Sequence, residues 1–120
     1  MKVYKELVAW QKAMLLTEEV YRLVRRLPPE ERFDLSGQMR RAAISVPSNI
    51  AEGYGRESRN DYIHFLKIAR GSLYELETQL IICVRLGFFR QQEVRNAFAL
   101  RDEIGKMLNT MIRKLQEPSA

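Results

Sequence analysis

Residues 59–86 read RNDYIHFLKIARGSLYELETQLIICVRL, and within them Tyr62, Leu66, Ala69, Leu73, Leu76, Leu80 and Cys83 recur at spacings that alternate between four and three. A helix turns ~100° per residue, so this spacing lays one apolar stripe along one face; a strand, alternating every second residue, has no use for it. The spacing predicts a helix over Arg59 to Leu86, with Ser58 and Asp61 as its N-terminal cap signal and Gly87 as its C-terminal stop.

The same period extends outward in both directions. Upstream, Leu35, Met39, Ala42, Ala43, Val46 and Ile50 predict a helix from Asp34 to Ala51, closed by Gly53-Tyr54-Gly55. Pro47 lies inside it, where proline removes one backbone donor and crowds the carbonyl of Ala43. Because the periodicity continues beyond Pro47, a kink is expected and not a break. The first helix is expected from Glu6 to Leu27. Two adjoining rows run along it, Leu7, Trp10, Met14, Thr17, Tyr21, Val24 and Ala13, Leu16, Val20, Leu23, Leu27, and Pro28-Pro29 ends it. Downstream, Val94, Ala97, Phe98, Ile104, Leu108, Met111, Ile112 and Leu115 mark a fourth helix from Gln91 to Leu115. Four helices joined by short connections imply an all-α, antiparallel, up-down-up-down bundle. It is expected to form one domain over residues 1–117, with 118–120 as a frayed tail.

The bulk numbers agree with such a domain. At 120 residues and 46% hydrophobic content the chain can bury a core without metal or disulfide. No apolar run approaches the ~18–20 residues of a membrane span, and Met1 to Glu6 lacks the apolar block of a secretory signal. Cys83, the single cysteine, sits on the apolar stripe and reads as a small core hydrophobe. These features point to the cytoplasm. Helices one and three carry more apolar surface than the interior of a bundle uses; Ile68, Ile81 and Ile82 fall outside the main stripe. A homo-oligomer is expected to cover them.

A polar row runs beside the core. Gln38, Arg41, Ser45, Asn49 and Glu52 share one side of the second helix; Ser72, Glu75 and Gln79 share one side of the third. If the two helices fold back about Arg56, Arg41 comes level with Gly71 and within a turn of Glu75. A partly buried Arg41–Glu75 ion pair follows, with Ser72 or Gln79 adding hydrogen bonds; Asn49 falls near His64, and Glu52 near Arg59. Gly71, Ala42, Ala43 and Ser45 are small enough for helix backbones to approach closely there.

Catalytic chemistry finds little to use. A di-iron bundle needs two Glu-x-x-His motifs and two more acids, and His64 is the sole histidine. Zinc fails on the same count. Gly53-Tyr54-Gly55 has neither the lysine nor the preceding strand of a phosphate loop. A non-enzymatic protein without cofactor or metal is expected. The charge balance, 20 Lys and Arg against 15 Asp and Glu for a net +5, permits attraction to RNA or DNA. The candidate phosphate contacts are Arg22, Arg25 and Arg26 on the first helix, Arg40 on the second, and Arg56, Arg59, Lys67 and Arg70 around the second connection and along the third helix. In a ring each cluster would be repeated and weak sites would add. The alternative is a protein-interaction scaffold that binds no nucleic acid.

Three blocks carry a resemblance. Gln38-x-x-Arg41-Ala42-Ala43-x-Ser45-Val46-Pro47-x-Asn49-Ile50-Ala51-Glu52-Gly53 resembles the signature of the four-helix-bundle proteins encoded in intervening sequences of large-subunit ribosomal RNA genes. Phe65-Leu66-x-Ile68-Ala69-x-Gly71-Ser72-x-x-Glu75 resembles their second block, and Leu7-x-x-Trp10-Gln11-Lys12-Ala13 their start. The resemblance implies a cytosolic bacterial protein assembled as a ring, typically a homopentamer. It also implies a fold like that of the accessory proteins of diversity-generating retroelements, which bind a reverse transcriptase and nucleic acid through a basic surface. An RNA or ribonucleoprotein partner is the expectation.

Overall fold

A computed structural model describes residues 3–118. Among them are four α-helices, α1 (Val8–Val24), α2 (Leu35–Tyr54), α3 (Arg59–Arg85) and α4 (Gln91–Gln116), two short 3-10 turns at Tyr4–Glu6 and Pro29–Glu31, and no strand. The helices pack into a rod of 52 × 22 × 20 Å. Ser119 and Ala120 of the expected tail lie outside the described residues.

Each terminus has a local cause. Leu7, with ψ 125°, separates the first 3-10 turn from α1, so the helix begins two residues later than its apolar rows suggest. At the other end Arg26 and Leu27 donate to Leu23 and Val24, three residues back, tightening the last turn before Pro28. The Ser58 hydroxyl accepts the Asp61 N–H at 3.2 Å and caps α3. Gly87, at φ +79°, closes α3: its N–H reaches the Val84 carbonyl and that of Phe88 reaches Cys83, the paired bonds of a Schellman ending. Glu93 opens α4 by accepting the Arg90 backbone N–H at 2.8 Å.

The stripes converge on one core. Leu16, Val20, Met39, Val46, Ile50, Leu66, Leu73, Leu76, Leu80, Ile104 and Leu108 are fully enclosed. Cys83 sits among them, its Sγ 3.7 Å from the Met39 sulfur. Burial, with the charge of Glu31 second, pushes the thiol up from 9.0 to about 11. The sign follows. In the unfolded chain the thiolate forms near pH 9, in the folded chain near 11, so this contribution is intact below pH 9 and is lost as pH climbs toward 11. Urea midpoints should fall across that window, and fall less in Cys83→Ala. A thiol reagent at pH 8 should label Cys83 only as fast as the chain opens.

α2 runs unbroken through Pro47. The carbonyl of Ala43 therefore lacks its usual i+4 donor, and α1 offers a substitute. The Thr17 hydroxyl lies 2.9 Å from its own helix's Ala13 carbonyl and 3.1 Å from that of Ala43. Thr17→Val keeps the shape and deletes the donor, which should lower stability by about 1–2 kcal/mol in urea titrations. The same change in a Pro47→Ala background, where the backbone donor is restored, should cost less.

Candidate interaction surfaces

The polar row on α2 and α3 is real, but its partners differ from those expected. Ser72 donates to Ser45 across the helices at 2.7 Å, and Asn49 Nδ2 reaches Ser45 Oγ at 2.9 Å and the Ser45 carbonyl at 2.8 Å. Arg41 and Glu75 form no ion pair; both are exposed, and the Arg41 guanidinium folds back over Gly37 of its own helix. The cause is register. Ser45 meets Ser72, Met39 meets Cys83, and the Cα of Gly53 faces Phe65, so the fold-back centres on Arg59 or just beyond, not on Arg56. A shift of roughly three residues in the centre moves every facing partner by about six, by the geometry of a folded chain. Arg41 thus comes level with the turn from Glu77 to Leu80 and not with Gly71. Glu52 pairs with Arg56 on the connection, at 3.1 Å.

Gln79 is 5% exposed, and its Oε1 is buried with no donor among the described residues. Around it lies an outer ridge of α3 formed by Ile68, Gly71, Glu75, Ile82 and Leu86, all exposed, Leu86 by 61%. Apart from its own helix backbone and chain neighbours, no described residue comes within 4 Å of a Cβ built on Gly71, so the close approach expected there is not made among the described residues. It is made at Gly53, where α2 meets Tyr62 and Phe65. Tyr62 is pushed up to about 12 by burial and, second, by Tyr54, whose ring stands edge-on at 5.9 Å.

The eight candidate cations do not form one patch. Arg22 pairs with the buried Glu19, and Arg26 with Glu93 of α4. The Glu93 carboxyl is held below its usual range by the Arg90 N–H first, then by Arg26. Arg56 pairs with Glu52 and also stacks on Phe65, 5.0 Å from the ring centroid. Arg59 reaches the Glu117 carbonyl at 3.5 Å, and Arg70 donates to Asn109 at 3.1 Å. Lys67 is exposed and makes no ion pair among the described residues. Arg25 and Arg40 are likewise unpaired, and they line one cavity between the end of α1 and the start of α2.

Sequence reasoning missed several participants. Arg32, Phe33 and Ser36 complete that same cavity. A lone aromatic beside an arginine, outside every apolar row, was the available signal. Arg101 was also missed. It lies over Tyr74 at 5.1 Å, approaches the Leu73 carbonyl at 3.4 Å and Glu77 at 3.7 Å, and so pins α4 to α3. Its position on the polar side of α4 gave no sign of this. Among the described residues no three His, Cys, Asp or Glu side chains gather as metal ligands. His64 is exposed, edge-on to Phe65. No described helix is long and apolar enough to cross a membrane.

Four helices around one apolar core, with polar and apolar ridges turned outward, define a small all-α protein. Within that class the chain belongs to the 23S rRNA-intervening sequence protein family, whose model matches residues 5–110. Its fold is similar to the crystal structure of a protein of unknown function from the S23 ribosomal protein family of Bacteroides thetaiotaomicron. The two share 26% identity over 88% of this chain and 99% of the other, with a TM-score of 0.82. No curated protein matches the chain.

Proposed function

We propose that the chain acts as a non-enzymatic homo-oligomer that binds RNA or a ribonucleoprotein through its basic surface. In this reading the helices run up-down-up-down and copies join in a ring. Five is the number that the family resemblance implies.

The observation that carries assembly is the α2–α3 face. Ile68, Ile82 and Leu86 are exposed along it, the buried Gln79 Oε1 has no donor, and Arg41 and Glu75 stand unpaired with opposite charges. A second copy laid here would remove apolar surface from water, and its donors and charges would match those left open. Support for nucleic acid comes from the net +5 and from Arg25, Arg32, Arg40 and Lys67, which form no ion pair among the described residues. The pairing of Arg22, Arg26 and Arg56 with glutamates favours the second reading, a protein-interaction scaffold.

Light scattering at several concentrations tests the first half. A pentamer of 14.1 kDa chains gives about 70 kDa, and a 14 kDa particle at high concentration refutes assembly. Fluorescence anisotropy with a structured RNA at two salt concentrations tests the second. Binding should weaken steeply with salt; an assembly that binds no RNA even at low salt is the scaffold.

A further inference from the structure

The cavity between α1 and α2 measures about 530 Å³, within the range of small-ligand sites. Pro28-Pro29 ends the run of α1, and the turn that follows brings Arg32 and Phe33 to line the cavity with Leu27 and Pro28. Three features of this cavity occur together. Arg25, Arg32 and Arg40 line it with no carboxylate among the lining residues and no ion pair elsewhere. Asp34 beside it lies outside the lining and accepts from Gln38 at 2.9 Å. Phe33 is 92% exposed, and the Arg32 guanidinium lies 5.8 Å from its ring centroid. Ser36 lines the cavity at 5% exposure, and its hydroxyl makes no hydrogen bond among the described residues.

An unpaired guanidinium cluster suits a phosphate, which accepts two parallel N–H bonds from each arginine. A bare aromatic ring suits the face of a base, whatever its identity, because every base has one. A cavity offering both, with the Ser36 hydroxyl on its wall, suits a nucleotide taken out of its stack. We propose that it receives one unstacked nucleotide of a nucleic-acid single strand. The base lies on Phe33, the phosphate among Arg25, Arg32 and Arg40, and Ser36 hydrogen-bonds the sugar-phosphate. This rests on the nucleic-acid reading above and gives it a place on the molecule.

The test uses fluorescein-labelled U10 RNA, dT10 DNA and a blunt RNA duplex, with binding followed by anisotropy on the full chain. Phe33→Ala should weaken binding of a single strand about tenfold and leave the duplex unchanged, and Phe33→Trp should bind within about twofold of the parent. Arg40→Gln should reduce the slope of log affinity against log salt by about one. The RNA and DNA arms tell which strand is held. If the unaltered protein binds no oligonucleotide, the nucleic-acid reading itself fails. If it binds and Phe33→Ala binds equally well, attraction is to phosphates alone and the nucleotide pocket is overturned. A change of particle mass in Phe33→Ala also overturns it, because the ring would then lie between copies. Phe33 is 92% exposed, and an unchanged melt should confirm the variant's fold.

Discussion

Leu76→Ala should lower the unfolding free energy by about 2–5 kcal/mol, the range for an enclosed leucine cut back to alanine. Leu76 is fully enclosed at the middle of α3, within the row that runs from Leu66 to Cys83. Removing its branched end deletes the transfer energy of those carbons and leaves a cavity that rigid helices on either side close only in part. A chain of this size holds roughly 6–18 kcal/mol in all, so the loss is a large share of the total. Urea denaturation at fixed protein concentration measures it. A loss below about 1 kcal/mol would mean that Leu76 is not enclosed as described.

Two glycines should respond to the same substitution with opposite signs. A Cβ on Gly53 would lie 2.8 Å from Phe65 Cβ, 3.1 Å from Tyr62 Cδ1 and 3.3 Å from the Tyr62 carbonyl. Alanine favours a helix over glycine by about 1 kcal/mol. Here the obstacle is the root of a side chain and a backbone atom, not a flexible tip, so the clash wins. Gly53→Ala should destabilise by about 1–3 kcal/mol, as overpacking does. At Gly71 the space is open, and Gly71→Ala should raise stability by up to about 1 kcal/mol in the separated chain. Melting at low concentration reads both. Equal signs would refute the packing described between α2 and α3.

The helices were legible in the sequence because their signals are local. Three-four spacing marked all four, Ser58 marked the start of α3, and Gly87 its end, each through a bond to residues nearby. The facing of α2 and α3 was not legible, because a connection does not divide two helices evenly. The bare backbone at Gly53 lets Tyr62 and Phe65 settle beside the last turn of α2, so α3 meets it with its second turn and not its first. That offset separates Arg41 from Glu75 and gives Ser45 to Ser72. The α1–α2 cavity was half legible. Arg25 and Arg40 stood out by charge, whereas Phe33 and Ser36 join them only through the path of the chain after Pro29.

The opening that Pro47 makes in the ladder of α2, filled from outside by Thr17, ties the fates of two segments. Taken alone, α2 is a broken spring with one coil unlinked at its centre. It becomes mechanically whole only once α1 lies against it, so the N-terminal half should yield as one block. A chain deprived of its first 25 residues would lose not only about a quarter of its core but also the clasp that lets its neighbour hold shape.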